Sequence, residues 1–192
     1  MAAAGAHAAI DVTVQPPAVA HVEFDRRWPP REMPVSADFG AVCSNLFEIE
    51  ANIASSVEVL SPTTVRIYPA TFAIITRLKV TIYLPKRWPL KLRAHEEGHR
   101  AIGEHYYGHA EVAAREAASS LLGRSFEASG ADRAAAERAA SELVLAALKN
   151  GYIQRTHARS AAANARYDTI TDHGRRAMLE TEAIAAAVAG DP

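Results

Sequence analysis

Residues 95–99 read His-Glu-Glu-Gly-His, an H-E-x-x-H pattern. On a helix, positions four apart differ by only about 40° in direction and one turn in height, so His95 and His99 aim their imidazoles at one point. Converging imidazoles are natural zinc ligands. Glu96, next to the first of them, reaches a water on that metal without displacing it. The chemistry implied is hydrolysis: the metal acidifies the water, Glu96 takes its proton as general base, and Glu96 later returns the proton to a leaving amine. Gly98 points to a special setting, because glycine in a helix interior costs about 1 kcal/mol relative to alanine.

A tetrahedral catalytic site needs a third protein ligand and keeps its fourth position open. Glu104, His105, His109, His157 and His173 are the candidates. Peptidases with the longer H-E-x-x-H-x-x-G-x-x-H pattern leave the helix at a glycine three residues past the second histidine. Here that place is Ile102, and Gly103 comes one residue late. On a continuing helix Glu104 and His105 therefore point away from His99, and His109 lies about 15 Å along the axis. These three read as helix-surface residues, and His157, in a basic stretch, reads as solvated. His173 lies in a polar break, Tyr167-Asp-Thr-Ile-Thr-Asp-His-Gly174, between two Ala-rich stretches. Thr and Asp there are helix-capping types, so a new helix start carries a histidine that can return to the first helix.

The elements that must position these groups change character near Pro85. Before it the chain alternates and is rich in β-branched residues; after it Ala, Glu, Arg and Leu recur at helical spacing. Strands are predicted over Ile10–Val14, Leu46–Leu60 (bent near Ser55-Ser56), Thr63–Tyr68 and Phe72–Leu84, the last two separated around Pro69. In the last strand Leu78, Val80, Ile82 and Leu84 share one face, with Arg77, Lys79, Thr81 and Tyr83 on the other. Phe24–Pro34, with its prolines, reads as an extended loop. A long helix is predicted from Leu90 to Leu122, stopping at Gly123. A second starts at Ser129-Gly-Ala-Asp132 and ends near Lys149-Asn-Gly151. A third, or a kinked continuation, runs from Tyr152 to Tyr167, and a last one from Gly174 to Ala189. The expected fold class is α+β, with an antiparallel or mixed sheet packed on the H-E-x-x-H helix and a helical lobe after it. Residues 1–192 read as one domain, with a β-rich lobe over 1–89 and a helical lobe over 90–192 carrying the metal site.

Charge and length narrow the classes further. The chain has 192 residues, 21 basic and 22 acidic, for a formal net charge of -1. No overall basic surplus points to nucleic acid, and no apolar run is long enough to span a membrane. The single cysteine, Cys43, precludes an intrachain disulfide and reads as a small hydrophobe with no base beside it. The Ala-rich N-terminus lacks the basic and apolar regions of an intact signal peptide.

Two separated motifs resemble those of a bacterial family of predicted secreted zinc-dependent proteases, long filed as a domain of unknown function. The first is Ile82-Tyr-Leu-Pro85, Trp88, then His95-Glu-Glu-Gly-His-Arg-Ala-Ile102-Gly-Glu104; the second is Tyr167-Asp168-x-x-Thr171-x-His173-Gly174. The resemblance implies a zincin-like fold and a zinc metalloprotease acting on a peptide or protein substrate. It implies His95, His99 and His173 as zinc ligands, Glu96 as base, Tyr167 as a catalytic donor to the oxyanion, and Asp168 or Glu104 as an outer-shell partner of a ligating imidazole. It also implies a periplasmic or secreted protein. In zinc peptidases generally an edge strand near the metal pairs with extended substrate, a part assigned here to Thr71–Tyr83. The alternative is a non-catalytic zinc-binding or partner-binding module of the same fold. Oligomeric state is not legible.

Overall fold

The computed structural model describes residues 10–34 and 40–190. The N-terminal run 1–9 lies outside the described residues. Strands β1 (Ile10–Val14), β2 (Ala18–Phe24), β3 (Val42–Ser61), β4 (Thr64–Pro85) and β5 (Phe126–Ser129) form one sheet. The helices are α1 (Leu90–Tyr107), α2 (Ala110–Ser119), α3 (Arg133–Arg155), α4 (His157–Thr171) and α5 (Glu180–Ala189). The fold is therefore α+β. The sheet is mixed: β1 and β2 run parallel to β4, and β5 antiparallel to it.

Two compact units divide the chain, and each draws on both sides of the change in composition. One comprises residues 1–14, 49–76 and 110–154; the other comprises 15–48, 77–109 and 155–192. In the first, β1 pairs with β4 from Ile10↔Phe72 to Val14↔Thr76, and β5 pairs with it from Thr64↔Ser129 to Ile67↔Phe126. The buried positions of β4 here change parity: Val65, Ile67 and Pro69, then Phe72, Ile74 and Thr76. Two strands were expected around Pro69. The chain instead stays in one strand and shifts its inward face by one residue just past the proline. That is how a strand accommodates a residue without an amide hydrogen.

The second unit carries the remainder of β4, with β2 alongside from Ala18↔Lys79 to Phe24↔Pro85. Leu78, Val80, Ile82 and Leu84 are all 2% exposed or less, the face expected of them. Tyr83, expected on the opposite face, is also buried. Helices α1, α4 and α5 all pack on one another. Small residues at the contacts, Ala163 on α4 and Ala183 and Ala187 on α5, are fully enclosed. This lets the helix backbones approach closely.

Several boundaries differ from expectation, each for a local reason. The strand β2 falls in a stretch with no sharp alternation, between Pro17 and the loop. The long helix predicted to Leu122 breaks at Gly108-His109. The Gly108 amide donates back to the carbonyls of Glu104 and His105, closing α1, and α2 starts at Ala110. Ser129 ends a strand rather than opening a helix, and α3 begins at Arg133, where Asp132 caps the Ala135 amide at 2.8 Å. Gly151 does not stop α3: Leu148 and Tyr152, fully buried on either side of it, hold the helix through the glycine. The break falls instead at Thr156, whose φ of -121° and ψ of -80° leave the helical region. The last helix starts six residues later than expected, because Asp172, His173 and Gly174 all take positive φ.

Candidate metal centre

The site lies wholly within the second unit. Helix α1 presents a buried stripe that includes His95, Glu96, Gly98, Ile102, Gly103 and Tyr106. Enclosing an imidazole and a carboxylate on that stripe is costly unless other groups meet them. Their partners come from α4, the segment after it, and the start of β3.

His95 Nε2 and His99 Nε2 lie 3.2 Å apart. Asp168 on α4 places Oδ1 3.2 Å from His95 Nε2 and 3.1 Å from His99 Nε2. Three donors so spaced form the face of a tetrahedron. An ion bound at zinc–nitrogen and zinc–oxygen lengths would separate neighbouring ligands by about 3.3 Å. Among the described residues these three form the group of histidine, cysteine and carboxylate donors able to hold a metal ion. The donor set, two imidazole nitrogens and one carboxylate oxygen, suits zinc.

The titrations of these groups follow from their crowding. Burial favours the neutral form of Asp168, but hydrogen bonds to His95 and His99 outweigh it and hold the carboxyl well below its ordinary 3.8. Burial opposes the charged form of His99. Its contacts with Asp168 and Asn164 overcome that and raise it above 6.5. Glu96, 4% exposed, is raised above 4.5 chiefly by burial. The nearby Cys43 backbone amide works the other way, favouring the charged form.

His99 has its tautomer set from behind. Its Nδ1 lies 2.7 Å from Asn164 Oδ1. The Asn164 amide nitrogen donates to the Ser160 carbonyl at 2.9 Å, so the oxygen is the end facing the ring. His99 Nδ1 therefore carries a proton, and the neutral ring, once Nε2 gives up the proton it shares with Asp168, offers its Nε2 lone pair to a metal. The His99 carbonyl in turn receives a 3.0 Å hydrogen bond from Asn45. A Cβ on Gly103 would come within 2.6 Å of that asparagine side chain. His95 Nδ1 is buried without a hydrogen-bond partner among the described residues.

Two glycines belong to the site's packing. A Cβ on Gly98 would sit 2.1 Å from the Tyr167 hydroxyl and 2.5 Å from its Cζ. Gly174, at φ +75°, turns against the His95 ring, where a Cβ would approach Cγ to 3.0 Å. The two sequence motifs thus meet through their glycines.

Tyr167 was expected to donate to an oxyanion, and its placement is otherwise. It is fully buried and stacks on His95, with ring centroids 4.9 Å apart and planes 13° from parallel. Its hydroxyl donates to Glu180 and lies 3.3 Å from the His95 carbonyl oxygen. It does not line the cavity over the site, so it acts as a buttress. Asp168, expected behind a ligating imidazole, stands among the donors. His173 is 40% exposed on its side chain, with Nδ1 3.5 Å from Asp168 Oδ1, beside the three-donor group but outside it.

A cavity of about 400 Å³ opens over the site, lined in part by Gly40–Cys43, Leu92, His157, His173 and Arg175. His157 sits at its wall, its ring T-shaped against Phe47 with centroids 5.9 Å apart. Glu104 faces Arg100, and His105 and His109 pack on each other at the exposed end of α1, as the helical phase requires. Cys43 lines the cavity as a thiol: burial, then the nearby carboxylates, push its titration far up. Thr71–Tyr83, expected as the substrate-pairing edge, is interior. β4 is paired with β1, β2 and β3, whereas β3 pairs only with β4 among the described strands. The strand bordering the cavity is the start of β3.

Asn45, Asn164 and Glu180 were not legible as site residues. Asn164 stands three residues before the Tyr167-Asp168 pair, one helical turn away on the same face. That spacing is the signal that could have found it.

No protein-family model matches the chain, and neither any curated protein nor any solved structure is significantly similar to it.

Proposed function

We propose that the chain is a zinc-dependent peptidase, with its metal held by His95 Nε2, His99 Nε2 and Asp168 Oδ1. The convergence of those three atoms at 3.1–3.2 Å from one another, beside a buried carboxylate, carries this reading. Zinc held there would supply a Lewis acid and a water of lowered pKa.

The chain's own residues do the rest. Glu96 is the general base: enclosure raises its affinity for a proton toward the working range. Asn164 keeps the His99 lone pair forward, and Tyr167 holds the His95 ring by stacking. A structural metal has no need of a base such as Glu96, which favours an enzyme over a non-catalytic module. With Tyr167 enclosed, His173 at the cavity wall, 3.5 Å from Asp168 Oδ1, is the group proposed to donate to a developing oxyanion. The open edge of β3 at Val42–Asn45 is the proposed seat of an extended peptide, whose main chain would add to the sheet.

The test is metal content and hydrolysis of an unstructured protein substrate, measured on wild type, Glu96→Gln and His99→Ala. The expected outcome is zinc without activity in Glu96→Gln and neither in His99→Ala. Wild-type activity in Glu96→Gln would discard the enzyme reading and leave a metal-binding module.

A further inference from the structure

Two short segments of the second unit repeat one chemistry. Residues 26–31 read Arg-Arg-Trp-Pro-Pro-Arg, and residues 86–91 read Lys-Arg-Trp-Pro-Leu-Lys. Each follows directly from a strand. Because β2 and β4 are parallel and their last pair is Phe24↔Pro85, the two segments leave the sheet side by side. The Lys86 amide donates to the Phe24 carbonyl at 2.8 Å, so the juxtaposition begins at the first residue. The Arg26 guanidinium and Leu92 both lie beside Gly40. The Arg93 guanidinium sits 5.5 Å from the Trp88 ring centre.

This surface concentrates charge that the chain as a whole lacks. Phe24–Arg31 and Pro85–Arg93 hold seven basic residues and one acidic residue, Asp25, a local balance of +6 in a chain of formal charge -1. Asp25 is committed to Arg27, at 2.9 Å. All seven basic residues are exposed. The first turn of α1 adds no acidic residue; Arg93 stands 3.8 Å from Glu97 of the next turn, and Lys91 donates to the Arg175 carbonyl at 2.7 Å, a contact that leaves its charge uncompensated. Within the same surface stand the two most exposed large apolar side chains described, Leu90 at 82% and Trp28 at 79%. Large apolar groups left so open beside clustered cations mark an interaction site.

We infer that this paired-loop surface docks on an anionic lipid bilayer. Trp28 would sit at headgroup depth, Leu90 would enter the acyl boundary, and the surrounding cations would face the lipid phosphates. An aliphatic side chain as open as Leu90 has a place among acyl chains and none against a sugar–phosphate backbone, which argues for a membrane over nucleic acid. Gly40 and Leu92 belong both to the border of this surface and to the lining of the cavity over the metal site. Docking would therefore hold that cavity close to the lipid surface. The inference stands apart from the hydrolytic reading and does not need it.

The test uses the full chain with vesicles of mixed phosphatidylglycerol and phosphatidylcholine, and with vesicles of phosphatidylcholine alone. Co-sedimentation and tryptophan emission are the readouts. Binding is expected to the anionic vesicles only, weakening with salt, with a blue shift that Trp28→Ala abolishes. Each cation removed near such a surface weakens binding about fivefold, so Arg31→Gln with Arg87→Gln should cost about 25-fold. All three positions are exposed, and circular dichroism checks that the variants fold. Equal binding to both vesicle types would overturn the inference, as would anionic binding unchanged in Trp28→Ala, Leu90→Ser and the charge variant. A single-stranded oligonucleotide that binds at the same salt while the vesicles do not would overturn it in favour of nucleic acid.

Discussion

Replacing Gly98 by alanine adds one methyl group at the point where α1 meets the Tyr167 ring. That carbon would lie 2.1 Å from the hydroxyl oxygen, 2.5 Å from Cζ and 3.0 Å from Cε1. Tyr167 cannot swing aside, because it is fully buried, stacked on His95 and hydrogen-bonded to Glu180. Relief to an ordinary contact requires α1 and α4 to separate by about 1 Å, an overpacking that costs about 1–3 kcal/mol. The better helix propensity of alanine returns about 1 kcal/mol of that. The net loss of stability is therefore modest, about 0–2 kcal/mol. The functional loss is larger. The same displacement parts His95 and His99 on α1 from Asp168 on α4, and metal sites tolerate ligand shifts of only about 0.2 Å. Zinc affinity should fall by at least about 100-fold while the protein stays folded. Thermal melts and competitive chelator titrations on Gly98→Ala, Tyr167→Leu and the double variant separate the two effects. The double variant should show no added cost from the alanine, because the atoms it strikes are gone. Undiminished zinc affinity in Gly98→Ala would refute the placement of Tyr167 against the helix.

Other expectations follow from the same geometry. Asn164→Ala frees the His99 tautomer and should weaken zinc by about 10–100-fold with little change in melting temperature, read by the same titration. Asp168→Ala should lower zinc affinity far more than His173→Ala; the reverse order in a chelator competition would restore His173 as the third ligand. Without metal, the raised His99 supports the fold below its ordinary 6.5 and loses that support as pH rises through its folded value. The lowered Asp168 contributes above 3.8 and loses its contribution as pH falls through its folded value. Metal-free protein should therefore melt highest in the mildly acidic range between. Zinc requires neutral imidazoles, so saturating zinc should move the maximum toward neutral pH; melting profiles that coincide with and without zinc would contradict this.

The parts of the site set by one helix were readable in the sequence. The spacing of His95, Glu96 and His99 carries its own geometry, and the surface phase of Glu104, His105 and His109 follows from the same period. The strand face of Leu78 to Leu84 was readable for the equivalent reason. What depends on packing between elements was not. The burial of Tyr167 and the approach of Asp168 depend on how α4 lies against α1, which no local pattern encodes. Gly98 signalled a close approach without saying to what. Likewise Gly151 looked like a helix end, yet Leu148 and Tyr152 on either side of it are buried deeply enough to keep the helix going. Pro69 looked like a strand break, but a shift of face absorbed it. The interior position of Thr71–Tyr83 reflects the parallel return of β1 and β2, a long-range pairing that alternation cannot reveal.

The central claim is that α1 and α4 together hold one zinc ion. A crystal of the protein grown with zinc, with diffraction recorded on both sides of the zinc absorption edge, tests it most directly. The account predicts a single strong anomalous peak about 2.0–2.2 Å from His95 Nε2, His99 Nε2 and Asp168 Oδ1. A peak elsewhere, or imidazoles turned away from each other with no peak between them, would contradict it.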